Sequence, residues 1–175
     1  MSVLSTAPDR FRATPDFAFG SWRSLFICCW RMHTTVECAQ EVGRRCAEFA
    51  ASHPEGIALL TIIEAHAPAP NNDARTAIAD FLRNATYVRA SALAFEGTGF
   101  RASLVRSVVS GLTMLARQPF EHKVFDSVPT ATQWLVPELE CHRPADFSPA
   151  EATQAVDTFR TRVETEVPKR DAMRA

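Results

Sequence analysis

Three continuous apolar runs separate the amphipathic stretches of this chain. They are Leu25–Trp30, Ile57–Ile63 and residues 92–95. Strands with one wet face alternate apolar and polar residues, whereas strands buried on both faces are apolar throughout. The helix-period segments between the runs are long enough to cross over between parallel strands. The pattern predicts an α/β fold: a mostly parallel sheet of four to five strands with helices on both sides.

Turn and capping residues predict how the first elements are connected. Residues 16–19 alternate polar and apolar side chains, and Gly20 with Ser21 predicts the turn of a hairpin that leads into the first apolar run. Thr34 and Glu37 then have the spacing of a capping box at the start of a helix. We therefore expect an edge hairpin followed by alternating helices and strands.

The chain divides into three parts by its composition. Residues 1–15 are polar and contain proline, and we expect a flexible N-terminal segment there. Residues 16–137 carry the strand and helix pattern of one α/β domain. Residues 138–175 form a C-terminal extension with one amphipathic helix, which begins at a capping box of Ser148 and Glu151. That appended helix either lies back on the domain or pairs with a partner.

Charge and hydropathy exclude several classes of partner. The formal net charge is -1, with 19 Lys and Arg against 20 Asp and Glu, so the composition gives no electrostatic bias toward nucleic acid. No apolar run approaches the roughly 18 residues that span a bilayer. Residues 1–10 lack the pattern of a secretory leader. We expect a cytoplasmic protein that neither spans a membrane nor binds nucleic acid.

The five cysteines contain no Cys-x-x-Cys pair. Cys28 and Cys29 are adjacent in a predicted strand, so their side chains should point to opposite faces and behave as small buried hydrophobes. Cys141 and His142 have no partner pair at the spacing of a zinc site. The sequence predicts no metal, no cofactor and a reducing compartment.

The end of the predicted domain carries a recognisable pattern. Residues 123–126 read Lys-Val-Phe-Asp, and after a short turn residues 130–135 read Thr-Ala-Thr-Gln-Trp-Leu. With the order of elements, this closing strand and helix resemble the SpoIIAA-like branch of the STAS superfamily, over residues 17–135. The resemblance implies a SpoIIAA-like fold and a regulatory or ligand-binding role.

One segment of the chain differs from the pattern of that family. Phosphoswitch members of the superfamily carry an Asp-Ser-Ser-Gly turn after a core strand, whereas the comparable residues 64–68 here read Glu-Ala-His-Ala-Pro. Because no hydroxyl is present, we expect the usual phosphoserine switch to be absent.

Polar residues follow each predicted parallel strand. The carboxyl ends of such strands share one edge of a sheet, where ligands of open α/β folds bind. That edge should bring together His33, Glu64, His66 and Glu96, with Thr98 and Arg101 beside them. These side chains could support proton transfer, or they could simply be solvated loop ends.

The turn after the third apolar run is a candidate anion site. Gly97 and Gly99 allow the backbone to turn closely, Thr98 offers a hydroxyl, and Arg101 could pair with a phosphate or carboxylate. A tight turn with Thr98 as a helix cap is the alternative. His122 flanks another turn, and we expect it to be exposed or to cap a helix.

These observations favour a non-enzymatic STAS-like regulatory or protein-interaction module with a protein partner, and they leave a homodimer open. The alternative is a binder of a small anionic or lipid-like ligand at the strand-end edge near Gly97 and Arg101. An enzyme that uses Glu64, His66 or Glu96 is a third hypothesis. No catalytic motif of high specificity supports it.

Overall fold

The computed structural model describes residues 9–97, 107, 111 and 116–168, and it shows an α/β protein built on one six-stranded sheet. The strands follow one another in space in chain order. They are β1 (Asp9–Ala13), β2 (Phe17–Trp22), β3 (Leu25–Trp30), β4 (Ile57–Ile63), β5 (Val88–Phe95) and β6 (Glu121–Phe125). The α/β class is as predicted, with one or two more strands than expected.

The sheet is mixed but mostly parallel. β1 and β2 pair antiparallel, as do β2 and β3, whereas β3, β4, β5 and β6 run parallel to one another. Four helices are described: α1 (Val36–Ala50), α2 (Asn72–Asn84), α3 (Val128–Glu140) and α4 (Pro149–Glu166). Helices α1 and α2 connect consecutive parallel strands, as the alternation of apolar runs and amphipathic segments predicts.

Helices cover both faces of the sheet, and in the described part of the chain each face carries a large apolar core. On one face α1 and α2 pack on the sheet, and the buried residues there include Phe19, Phe26, Val42, Phe49, Leu59 and Leu82. On the other face α3 and α4 pack, and the buried residues include Leu25, Ile27, Leu60, Leu135, Val156 and Phe159. Strands β3 and β4 are buried on both faces, which explains their continuous apolar sequence.

The C-terminal helix lies back on the domain, the first of the two alternatives left open by the sequence. Its buried residues Ala152, Ala155, Val156, Phe159 and Val163 belong to the same core as β2, β3 and α3. Helix α4 is therefore a structural layer of the domain rather than an appendage. Its predicted capping box is present, since the hydroxyl of Ser148 accepts from the Glu151 amide and the Glu151 carboxylate accepts from the Ser148 amide.

The start of the chain differs from the prediction in two ways. Asp9–Ala13, within the segment expected to be flexible, pairs with β2 as an edge strand. Gly20 and Ser21 do not form the hairpin turn, because both lie inside β2, where Gly20 pairs with Ile27. The chain reverses instead at Arg23, whose φ of 52° places it in the left-handed region.

Within the described part of the chain, every helix is too short or too polar to cross a membrane.

Candidate functional site

The carboxyl ends of three parallel strands lie side by side. Trp30 at the end of β3 pairs with Ile63 at the end of β4, and Ile63 pairs with Phe95 at the end of β5. The alignment continues one residue further, because the Glu64 amide donates to the Trp30 carbonyl over 3.0 Å. The residues that follow the strands therefore reach one edge of the sheet.

A cleft of about 350 Å³ opens at this edge on the α4 face. Polar side chains from four segments of the described chain line it: Cys29, Glu64, His66, Glu96, Arg160 and Glu164. Three of the predicted candidates, Glu64, His66 and Glu96, thus share one cleft. The other charged groups come from α4, which the sequence did not predict at this edge.

Arg31, at the first position after β3, connects the cleft to the end of α4. Its side chain is only 3% exposed. The guanidinium lies 3.6 Å from Oε1 of Glu64 and 3.0 Å from Oε1 of Glu164, and it donates to the backbone carbonyl of Val167 over 2.9 Å. A buried cation is stable only when paired and hydrogen-bonded, and these contacts supply both.

The remaining charged groups in the cleft are also engaged. Nη2 of Arg160 lies 2.7 Å from Oε1 of Glu96, so helix α4 makes a second ion pair with the strand-end edge.

The thiol of Cys29 lies 3.9 Å from Oε1 of Glu64. Burial, with the nearby Glu64 carboxylate, raises the pKa of Cys29 to about 12, so this thiol stays protonated and is a poor nucleophile at neutral pH.

Two other candidates from the sequence, His33 and Gly97, do not line this cleft. His33 is exposed, and its backbone amide donates to the Asp16 carboxylate over 3.2 Å. At Gly97 a Cβ would lie 2.2 Å from Cζ of Phe95, so glycine is required there by the Phe95 ring. Thr98, Gly99 and Arg101 lie outside the described residues.

A second cavity, of about 90 Å³, lies on the opposite face, between the sheet and helices α1 and α2. The described part of its wall is mostly apolar and includes Cys28, Val42, Leu59, Ile63, Phe81 and Leu93. The two adjacent cysteines face the two different cavities, as the alternation of side chains along a strand predicts. The loop at residues 64–70 borders both cavities.

One polar pair lies in the wall of this apolar cavity. Nδ1 of His122 on β6 is 2.9 Å from Oγ of Ser91, its register partner on β5. Ser91 is fully buried, and Nε2 of His122 is buried without a hydrogen-bond partner. The expectation that His122 is exposed or caps a helix is therefore wrong. Burial lowers its pKa from 6.5 to about 4, so its ring is neutral at pH 7.

Among the described residues, no three side chains of His, Cys, Asp or Glu converge in the manner of metal ligands. Comparison of the chain with protein-family models, with curated proteins and with solved structures finds no match.

Proposed function

We propose that the protein is a non-enzymatic, STAS-like regulatory module that binds a protein partner at the carboxyl edge of its sheet. The observation that carries this proposal is the pairing of the cleft carboxylates. Glu64 faces Arg31, and Glu96 faces Arg160. A general acid or base must be presented to a substrate, and these carboxylates are instead held against arginines within the protein.

The order of elements supports the STAS-like part of the proposal. An antiparallel hairpin, β2 and β3, precedes three parallel strands in sequential order. The closing residues that carry the resemblance form strand β6 and helix α3. The phosphoserine switch is not part of the proposal, because residues 64–68 contain no hydroxyl.

The edge also offers an apolar contact for a partner. Met32 follows directly after Arg31 and is 43% exposed, and no other large hydrophobic side chain among the described residues is exposed to this degree. Exposed His33 stands beside it. Interfaces are enriched in such methionines, because the flexible thioether adapts to the partner's surface.

Two measurements test the proposal. A photo-crosslinking residue is placed at Met32 and, as a control, at Glu55, whose side chain is 69% exposed and which precedes β4 at the opposite end of that strand. In extracts of the native cell we expect one dominant adduct from position 32 that competes with added unlabelled protein, and none from position 55. Equal labelling from both positions would contradict partner binding at this edge.

The second measurement addresses catalysis. The purified chain is assayed with generic ester and phosphate substrates beside Glu96→Gln and the exposed control Glu55→Gln. We expect no turnover by any of the three proteins. A rate that Glu96→Gln abolishes and Glu55→Gln retains would show that the protein is an enzyme.

A further inference from the structure

The apolar cavity between the sheet and helices α1 and α2 has the composition of a small-molecule site. Such sites are concave and mostly apolar, with a small number of polar groups that orient the ligand. Here Val42 and Phe81 contribute from the helices, Leu59 and Leu93 from the sheet, and His122 supplies a polar group from the edge strand β6.

The unpartnered nitrogen of His122 requires an explanation. A buried polar atom without a hydrogen bond is a rare feature of native structures and is unfavourable. Nδ1 is already engaged by Ser91, which fixes the ring, and Nε2 is left for another partner. The ring is neutral at pH 7, so Nε2 can take part in a hydrogen bond without introducing a charge into the cavity.

We propose that this cavity binds a small neutral ring compound that carries one hydroxyl group, and that this hydroxyl, which can either donate or accept, hydrogen-bonds to Nε2 of His122. The proposal goes beyond the partner-binding function and does not depend on it.

The size of the cavity sets the class of ligand. Its volume of about 90 Å³ is well above the roughly 10–15 Å³ of probe volume that one water molecule needs. We therefore expect a compact ligand, of the size of one ring or a short branched group.

The charge of the ligand follows from the wall. Among the described residues that line the cavity, none carries a formal charge when His122 is neutral. An anion or cation would lose its hydration without gaining a counter-charge from these residues, which is strongly unfavourable. The described part of the wall therefore favours a neutral ligand, in contrast to the anion that the sequence suggests near Arg101.

The test uses phenol and toluene, two rings of nearly equal size of which only phenol can hydrogen-bond to His122. Each is titrated into the purified chain, and binding is followed by the NMR shifts of the Ser91 and His122 backbone amides. We expect phenol to bind about 3- to 10-fold more tightly than toluene, the range of one net hydrogen bond. In His122→Leu the preference should disappear while toluene still binds.

A matched pair of variants on α1 locates the site. Ala39 lines the cavity, whereas Ala47 is exposed two turns further along the same helix. Ala39→Leu should fill the cavity and abolish binding of both probes, and Ala47→Leu should bind them as the wild type does. Melting temperatures of both variants establish that they are folded.

Three outcomes would overturn the proposal. They are the absence of phenol binding at millimolar concentration, equal phenol binding by the wild type and Ala39→Leu, and tighter binding of benzoate than of phenol. The first outcome means that the cavity is a packing defect, the second that phenol binds elsewhere, and the third that the ligand is an anion. Failure of the crosslinking test at Met32 would leave these measurements unaffected, because they use only the purified chain and small probes.

Discussion

Arg31 and Glu164 are separated by 133 positions in the chain, yet Nη2 of the arginine is 3.0 Å from Oε1 of the glutamate. The contact joins the end of strand β3 to the last turn of helix α4. Arg31 is buried and Glu164 is 46% exposed. Arg31 therefore depends on this ion pair to compensate its burial, whereas the Glu164 carboxylate is also solvated by water.

That difference predicts unequal costs of substitution. Arg31→Met should lower the free energy of unfolding by about 3 kcal/mol, because it breaks a buried ion pair and leaves the partly buried Glu64 without its arginine. Glu164→Gln should cost about 1 kcal/mol or less, since its carboxylate is partly solvated. Urea denaturation measures both, with Arg44→Met as the control, since the Arg44 side chain is 52% exposed in its ion pairs with Glu41 and Glu48 on α1. Equal losses in Arg31→Met and Arg44→Met would contradict the buried role of Arg31.

Phe159 tests whether helix α4 is part of the folded core. Its ring is fully buried and lies edge-to-face with Phe11 of β1, with the ring centroids 5.7 Å apart. Phe159→Ala should cost about 3–5 kcal/mol, the range for removal of a buried aromatic ring. Met32→Ala, at an exposed position, should change stability by about 0.5 kcal/mol or less. A loss below 1 kcal/mol for Phe159→Ala would mean that α4 does not stabilise the sheet.

The sequence predicts the strands correctly where burial on two faces requires apolar residues throughout. It fails where the position of a turn or strand depends on backbone geometry that the residue types do not reveal. Strands β3 and β4 begin and end where the apolar runs do, because both are buried on two faces. The sequence predicts the hairpin turn at the wrong place for two reasons. Gly20 is a residue typical of turns, but here it lies inside strand β2. Arg23, at the actual turn, adopts a left-handed conformation that its residue type does not suggest. The edge strand β1 was missed since its exposed arginines give it no apolar pattern.

The sequence likewise predicts some residues of the candidate site and not others. Glu64 and Glu96 could be assigned to one edge, because consecutive parallel strands bring their carboxyl ends together. Arg160 and Glu164 could not, since the position of α4 on the sheet depends on packing between distant parts of the chain. His122 was misjudged because no local pattern shows that Ser91 lies opposite it on β5.

The neutral state of His122 predicts a dependence of stability on pH. Its pKa is lowered by burial from 6.5 in the unfolded chain to about 4 in the folded protein. Between these values the unfolded chain binds more protons, so stability falls as the pH decreases from 6.5 toward 4. Between pH 7 and pH 5 the loss should be on the order of 2 kcal/mol.

Urea denaturation at several pH values measures this loss, and His122→Gln is the control that should remove it. The carboxylates of Glu41 and Glu151 have lowered pKa values, so their contribution is lost only at lower pH, below about 4.5. A wild-type protein that is equally stable at pH 7 and pH 5 would show that His122 is not buried as a neutral ring.

The capping box of α4 gives a prediction of smaller size. Ser148→Ala removes the acceptor for the Glu151 amide, and it should cost about 1 kcal/mol. Thr158→Ala, at a partly exposed position inside the same helix, should cost nothing measurable, because alanine favours helix formation more than threonine does. The midpoints of thermal unfolding compare the two variants, and an equal decrease in both would show that the cap contributes nothing specific.

One face of the sheet is covered by a helix from a distant part of the sequence. This arrangement affects the nascent chain during synthesis. Arg31, the residue directly after β3, is added to the chain 133 residues before Glu164, an interval of roughly 7 to 27 seconds at synthesis rates of about 5–20 residues per second. Until α3 and α4 have both been made, Leu25, Ile27 and Cys29 lack one or both of the helices that bury them. Exposed apolar strands of this kind are prone to aggregation, so the nascent chain should be a client of chaperones that act before release from the ribosome.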